Sequence, residues 1–116
     1  MSDAGNGMVL AAMVDGRIVA MGGWDRLPEG DRAEIDLTVD DGHDDDSVGA
    51  ALLRGLAAAA SQMGIRRFLN RSLPDDGRVR RILARAGFET STVYQEGVLR
   101  TTFSTVPETP RGFSYR

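Results

Sequence analysis

The stretch "GHDDDSVGAALLRGLAAAA", residues 42–60, predicts a loop that opens the longest helix of the chain. Val48, Leu52 and Leu56 repeat at intervals of four residues, which places apolar side chains along one face of a helix. Acids are favoured at the first turn of a helix, so we expect Asp46 or Ser47 to be the N-cap residue. The start of a helix can also bind an anion. The three carboxylates of this loop would repel an anion, so their charge bears directly on whether this helix start binds one.

The segments around this helix predict strands and one further helix. Strands are expected near 8–14 and 17–24, with a tight turn between them, and at 33–40 and 65–73. A second helix is expected at 74–88, and a hairpin within 91–106 ends the pattern. The order β-β-β-α-β-α-β-β indicates an α+β (mixed α/β) fold in which helices cover a sheet.

Length and composition favour a single domain. We expect a domain at 8–106 between a disordered tail at 1–7 and a loose tail at 107–116. The 116 residues include no cysteine, which excludes disulfides and thiolate metal sites. No signal peptide and no membrane-spanning stretch is recognised, so a cytoplasmic protein without a membrane partner is expected.

Charge is divided unevenly along the chain. Residues 1–60 hold 4 Arg and 12 acids, a net charge of −8, whereas residues 61–116 hold 10 Arg and 5 acids, a net charge of +5. The basic half carries no recognised nucleic-acid motif, so nucleic acid is an unlikely partner and a solvated face is favoured. No metal site is expected, because His43 and the neighbouring acids are consecutive and rarely converge on one ion.

Four segments of the chain resemble the GCN5-related N-acetyltransferase (GNAT) family in the same order and at similar spacings. They are "VDGRIVAMGGW", "AEIDLTVD", "SVGAALLRGLAAAASQMGIRRF" and "LPDDGRVRRILARAGFE". The resemblance implies a sheet flanked by helices and an acyl-CoA-dependent N-acyltransferase that transfers an acetyl or other acyl group to an amine. It also implies acetyl-CoA, or another acyl-CoA, bound between two splayed strands with its pyrophosphate at the start of the long helix.

The family resemblance assigns the cofactor-binding positions. They are Leu37, Thr38, Val39, Ser47, Val48, Gly49, Ala50 and Asp76. The family's phosphate loop begins with Gln or Arg and has Gly three residues later, where this chain has Asp44 and Ser47. Asp46 replaces a residue that is often basic. A carboxylate about 6 Å from a phosphate costs roughly 3 kcal/mol at an effective dielectric near 20, so the sequence predicts weakened binding of CoA.

The resemblance also assigns a catalytic residue. Glu34 lies where some family members place a glutamate that takes a proton from the acceptor amine, with Asp36 on the same face as a weaker candidate. The alternative for Glu34 is a solvent-facing strand residue. The family's tyrosine acid, four residues before the Gly-Phe pair, is replaced by Leu83.

Two functional hypotheses therefore remain open. One is the acyltransferase, and the other is a non-catalytic binding or assembly module that has lost tight CoA binding. In the family, a strand and helices precede the first hairpin, and only about seven residues do so here. We therefore expect a homodimer, or a partner domain, to cover the edge of the sheet.

Overall fold

A computed structural model of the chain describes residues 6–43 and 45–107, which form six strands and two helices. The elements are β1 Gly7–Val14, β2 Arg17–Arg26, β3 Arg32–Val39, α1 Asp46–Gln62, β4 Arg67–Ser72, α2 Gly77–Ala86, β5 Thr90–Gln95 and β6 Val98–Ser104. Their order confirms the predicted α+β pattern.

Residues 6 and 7, at the end of the stretch assigned to the N-terminal tail, take part in backbone pairing. The carbonyl of Asn6 accepts a hydrogen bond from the backbone N–H of Arg26, and Gly7 already pairs with Asp25 in the sheet. Residues 6 and 7 thus belong to the folded domain. Residues 1–5, residue 44 and residues 108–116 lie outside the described part of the chain, and with them most of both predicted tails.

The six strands form one sheet in the order β1-β2-β3-β4-β6-β5. Two hairpins follow from local sequence, because Asp15-Gly16 and Glu96-Gly97 take the positive φ angles of tight hairpin turns. The chain crosses from β3 to β4 through α1, which makes these two strands parallel in an otherwise antiparallel sheet.

The β3–β4 ladder is short, and this opens the sheet. The pairs are Arg32–Arg67, Ala33–Phe68 and Glu34–Leu69. Beyond Glu34, β3 continues to Val39 and β4 to Ser72, although they no longer pair. The two strands therefore part in the middle of the sheet and leave a cleft between them.

Both helices pack together on one side of the sheet. The buried face of α1 is wider than the predicted stripe, since Gly49, Ala50 and Leu53 are buried beside Leu52 and Leu56. Met63, just after the last helical residue, is the exposed C-cap. Trp24 and Phe88 are core residues. Neither helix in the described ranges has the length and apolar character needed to span a bilayer.

No described helix covers the other side of the sheet, and apolar residues are exposed there. Cross-strand pairing brings Val9 opposite Gly23 and Ala11 opposite Met21. Val9 and Met21 are exposed at 69% and 46%. These two side chains help to line a groove of about 640 Å³, which also contains Asp36 and Thr38. We call it the open-face groove.

Candidate functional site

The site is built around a cleft between the end of β3 and the first turns of α2, beyond the point where β3 and β4 part. This outer cleft has a volume of about 310 Å³ and is lined by Leu37, Thr38, Val39, Asp41, Asp76, Arg78, Val79 and Ile82. Four predicted cofactor-binding residues, Leu37, Thr38, Val39 and Asp76, therefore meet at one place although the chain separates Val39 from Asp76 by the whole of α1 and β4. Asp76 precedes α2 at the N-cap position, and its side chain makes no capping hydrogen bond.

The inner end of the cleft contains a buried amide that sequence reasoning missed. Asn70 is only 5% exposed, and its Nδ2 donates to the carbonyl of Ile35 at 2.9 Å. The Oδ1 atom of Asn70 is buried without a hydrogen-bond partner among the described residues. A narrow inner cavity of about 10 Å³ faces this residue and shares Leu37 and Val79 with the outer cleft.

The N-cap of α1 is Asp45, not Asp46 or Ser47 as predicted. The backbone of Asp45 is extended and its carboxylate accepts a hydrogen bond from the N–H of Ser47 at 2.9 Å, while Asp46 is already helical. Hydrogen bonding to the Ser47 side chain, and secondly to its backbone N–H, lowers the pKa of the Asp45 carboxyl. One backbone donor at the helix start is therefore already bound to a carboxylate, and an incoming anion would have to displace it or use the neighbouring N–H groups.

Asp46 is paired with two cations, which changes its predicted effect on an anion. Its two carboxylate oxygens lie 3.2 Å from Nε of Arg78 and 3.2 Å from Nε of Arg81. Arg78 also donates to the backbone carbonyls of Asp40 and His43. The local charge of these three side chains is +1, so Asp46 does not present an uncompensated negative charge to the cleft. The predicted repulsion by Asp46 therefore has to be revised.

The basic half of the chain was expected to form a solvated face, and Arg78 departs from that expectation. Its side chain is 21% exposed, because the guanidinium crosses from α2 to the loop before α1. The side chain of Arg81 is 62% exposed. The hint available in the sequence was the excess of acids in one loop and of arginines in α2, but the pairing itself depends on tertiary contact. Asp44 lies outside the described residues.

The other four predicted cofactor-binding residues lie at the start of α1 and do not line the outer cleft. Ser47 and Val48 line a separate groove of about 490 Å³ between α1 and β1, while Gly49 and Ala50 are buried. A Cβ at position 49 would lie 2.7 Å from Cδ1 of Ile82. Gly49 is thus required for close packing of the helices, whatever ligand its backbone meets.

Glu34 occupies the last β3–β4 pair, where the strands begin to part. Its side chain is 29% exposed, and its Oε2 lies 3.8 Å from Nε of Arg71. Glu34 is thus neither fully solvent-facing nor without a partner. Leu83, which replaces the family's tyrosine, is buried in the core, and Tyr94 is exposed on β5. Within the described ranges no group of three or more His, Cys, Asp or Glu residues could hold a metal ion.

Comparison with known proteins gives the family. A family model described as "Acetyltransferase (GNAT) family" matches residues 1–88. The GNAT domain of S. lividans PAT is 30% identical with a TM-score of 0.77, over 90% of this chain and 64% of that one. The cAMP-binding acyltransferase from Mycobacterium smegmatis is 26% identical with a TM-score of 0.73, over 90% of this chain and 33% of that one.

A third structure shares the fold at lower identity. PaiA N-acetyltransferase from Thermoplasma acidophilum, in complex with coenzyme A, is 13% identical with a TM-score of 0.71, over 85% of this chain and 61% of that one. The chain spans less than two thirds of the length of each of these three proteins. No curated protein matches it. The family model and the shared fold confirm the resemblance seen in the sequence, and the chain belongs to the GNAT acetyltransferase family.

Proposed function

We propose that this chain is an acyl-CoA-dependent N-acyltransferase that transfers an acetyl or other acyl group to an amine. The observation that carries the proposal is the parting of β3 and β4 after the Glu34–Leu69 pair. It leaves a cleft lined by Leu37, Thr38 and Val39. The GNAT fold supports acyl-CoA-dependent acetyl transfer in general, and PaiA N-acetyltransferase carries coenzyme A in a structure of the same fold.

The residues around the cleft fit the cofactor in two respects. Strand β3 offers an unpaired backbone edge beyond Glu34, which suits an extended arm that carries amide groups. Arg81 and the first turn of α1 offer positive charge and N–H donors for phosphates. When bound, the cofactor supplies an acyl group activated as a thioester. Asp41 and Asp76 also line the cleft and oppose an anion.

Glu34 would accept the proton of the acceptor amine, directly or through a water molecule. As the nitrogen–carbon bond forms and the carbon–sulfur bond breaks, the amine proton passes to the carboxylate and the sulfur leaves as thiolate. Arg71 holds the carboxylate in place at the point where the strands part. Thr38 lines both the outer cleft and the open-face groove, so an acceptor in that groove would lie beside an acyl group in the cleft.

The alternative is a non-catalytic binding or assembly module. Asp41 and Asp76 at the cleft and the apolar Leu83 in place of the family's tyrosine favour it. The two hypotheses differ in turnover, because both allow some binding of CoA but only the enzyme consumes acetyl-CoA in the presence of an amine.

Turnover of Glu34→Gln tests the proposal. The wild-type chain is expected to release CoA thiol from acetyl-CoA with at least one amine of a panel, and Glu34→Gln is expected to lower that rate by roughly 10²-fold or more. Glu89→Gln is the matched control, since Glu89 is exposed and lines neither the outer cleft nor the open-face groove. Equal rates for wild type and Glu34→Gln would contradict the role of Glu34. Binding of acetyl-CoA without turnover for any amine would favour the non-catalytic module.

A further inference from the structure

The side chain of Asn70 lies where β3 and β4 part. The backbone ladder ends at the pair Glu34–Leu69, and one residue further the Nδ2 of Asn70 donates to the carbonyl of Ile35. Because a carbonyl oxygen can only accept, this hydrogen bond fixes which way the amide group points. The Oδ1 atom is therefore the free end of the side chain.

The hydrogen bond that links the two strands uses only Nδ2, so it does not explain why Oδ1 of Asn70 is buried. Oδ1 is buried with no hydrogen-bond partner among the described residues, and Leu37, Val79 and Phe103 line the same inner cavity. Burying an unpaired polar atom among apolar side chains costs about 1 to 3 kcal/mol, and nearly all buried polar groups are paired in folded proteins. The acceptor thus points to a donor that the described residues do not supply.

The cofactor of the proposed function carries suitable donors. The pantetheine arm of CoA contains two secondary amides, and each N–H needs an acceptor once it leaves water. A strand rises about 3.3 Å per residue, so an extended arm that enters at Val39 travels about 13 Å to reach Ile35. Leu37 and Val79 line both cavities, so they lie at the boundary that the arm would have to open.

We propose that Oδ1 of Asn70 accepts a hydrogen bond from an amide N–H of the pantetheine arm and so positions the arm at the inner end of the cleft. This role rests on the proposed function. The Nδ2 of the same side chain donates to the Ile35 carbonyl of β3 and so links β4 to β3. One amide group therefore holds the two strands together and also binds the arm. Leu37 and Val79 move apart when the arm enters.

Two ligands separate this role from a purely structural one. CoA contains the arm, whereas adenosine 3′,5′-bisphosphate keeps the nucleotide and lacks the arm. By calorimetric titration, Asn70→Leu is expected to weaken binding of CoA by roughly 5- to 10-fold and to leave binding of the bisphosphate within about twofold of wild type. If Asn70→Leu does not fold, Asn70→Ala gives the same comparison.

Thr101→Val is the matched control. Thr101 is paired with Asn70 across the β4–β6 ladder, is equally buried, and lines neither the inner cavity nor the outer cleft. Its hydroxyl already has a partner in Thr92 at 3.0 Å. The control should therefore leave the ratio of the two affinities at its wild-type value.

The possible results lead to different conclusions. The proposal is supported if the Asn70 variant loses affinity for CoA but not for the bisphosphate, and if Thr101→Val loses affinity for neither. An unchanged affinity for CoA, or an equal loss for both ligands, overturns the role of Asn70 while the proposed function stands. A wild-type chain that binds neither ligand overturns the proposed function and this role together.

Discussion

Single residues at the start of α1 set the charge of the candidate site. Asp46 alone would repel a phosphate, but Arg78 and Arg81 bind both of its carboxylate oxygens. The first of these arginines is largely buried and holds the loop through two backbone carbonyls. The second is mostly exposed, so its remaining N–H groups are available to a ligand. We therefore predict that Arg78 maintains the structure of the loop and that Arg81 contacts the phosphates of an acyl-CoA.

Replacing Arg81 tests this division of roles. Arg81→Met is expected to weaken binding of acetyl-CoA by roughly 3- to 10-fold, a modest loss because the side chain is 62% exposed and its charge is screened by solvent. Arg54→Met is the matched control for net charge, since Arg54 is exposed in the middle of α1. Equal affinities of the two variants, measured by calorimetry at one ionic strength, would rule out a contact between Arg81 and the phosphates.

The sequence predicted the types of residue at the site better than their contacts. Leu37, Thr38, Val39 and Asp76 were named from the family resemblance, and they do line one cleft. The Asp46–Arg78 pair and the buried Asn70 could not be predicted, because each depends on elements that meet only in the folded chain. The observed N-cap, Asp45, precedes the predicted one, because three consecutive aspartates give the helix several equivalent starting points.

At the scale of elements, the packing of α1 against α2 positions the loop and the cleft. Gly49 allows this approach, because a Cβ there would meet the fully buried Ile82 at 2.7 Å. Gly55 lies in the same helix, where an added Cβ would find its nearest neighbour, Leu10, at an ordinary 3.8 Å. Close packing therefore requires glycine at position 49 but not at position 55.

Alanine substitutions at the two positions test this difference. Gly49→Ala is expected to lower the free energy of unfolding by about 1 to 2 kcal/mol, because the methyl group overpacks the contact with Ile82. Gly55→Ala is expected to raise it by about 0.5 to 1 kcal/mol, because alanine favours the helix and meets no close neighbour. Chemical denaturation of both variants measures the difference. A stabilised Gly49→Ala would contradict the described approach of the two helices.

The order of the elements was predictable for a physical reason. Asp15-Gly16 and Glu96-Gly97 determine the hairpins locally, and the apolar repeats determine the helices. The parting of β3 and β4 has no comparable local signal, since both strands continue with ordinary strand sequence beyond the last pair. The family resemblance alone implied it.

At the scale of the whole molecule, the sheet has two edges, β1 and β5. Strand β6 lies between β4 and β5, so it offers no free edge for pairing with a second chain. Strand β1 remains a candidate, because it pairs only with β2 among the described strands and exposes Val9 and Met13 at 69% and 61%.

We predict that the chain forms a homodimer through β1, because an exposed edge strand with apolar side chains favours pairing with a second copy. Light scattering at micromolar concentration should give twice the chain mass of 12.5 kDa, which is about 25 kDa. Val9→Lys with Met13→Lys should give the monomer, whereas Val93→Lys with Tyr94→Lys on β5 should not. A wild-type mass near 12.5 kDa would contradict the dimer.

The central claim is that an acyl-CoA binds in the cleft between β3 and β4, and calorimetric titration with acetyl-CoA tests it most directly. The wild-type chain is expected to bind one equivalent with a Kd of about 1 to 100 μM. Thr38→Trp, which fills the cleft mouth, should abolish binding, and Thr90→Trp on exposed β5 should preserve it. No saturable binding up to about 1 mM, or equal binding by the Thr38→Trp variant, would contradict the claim.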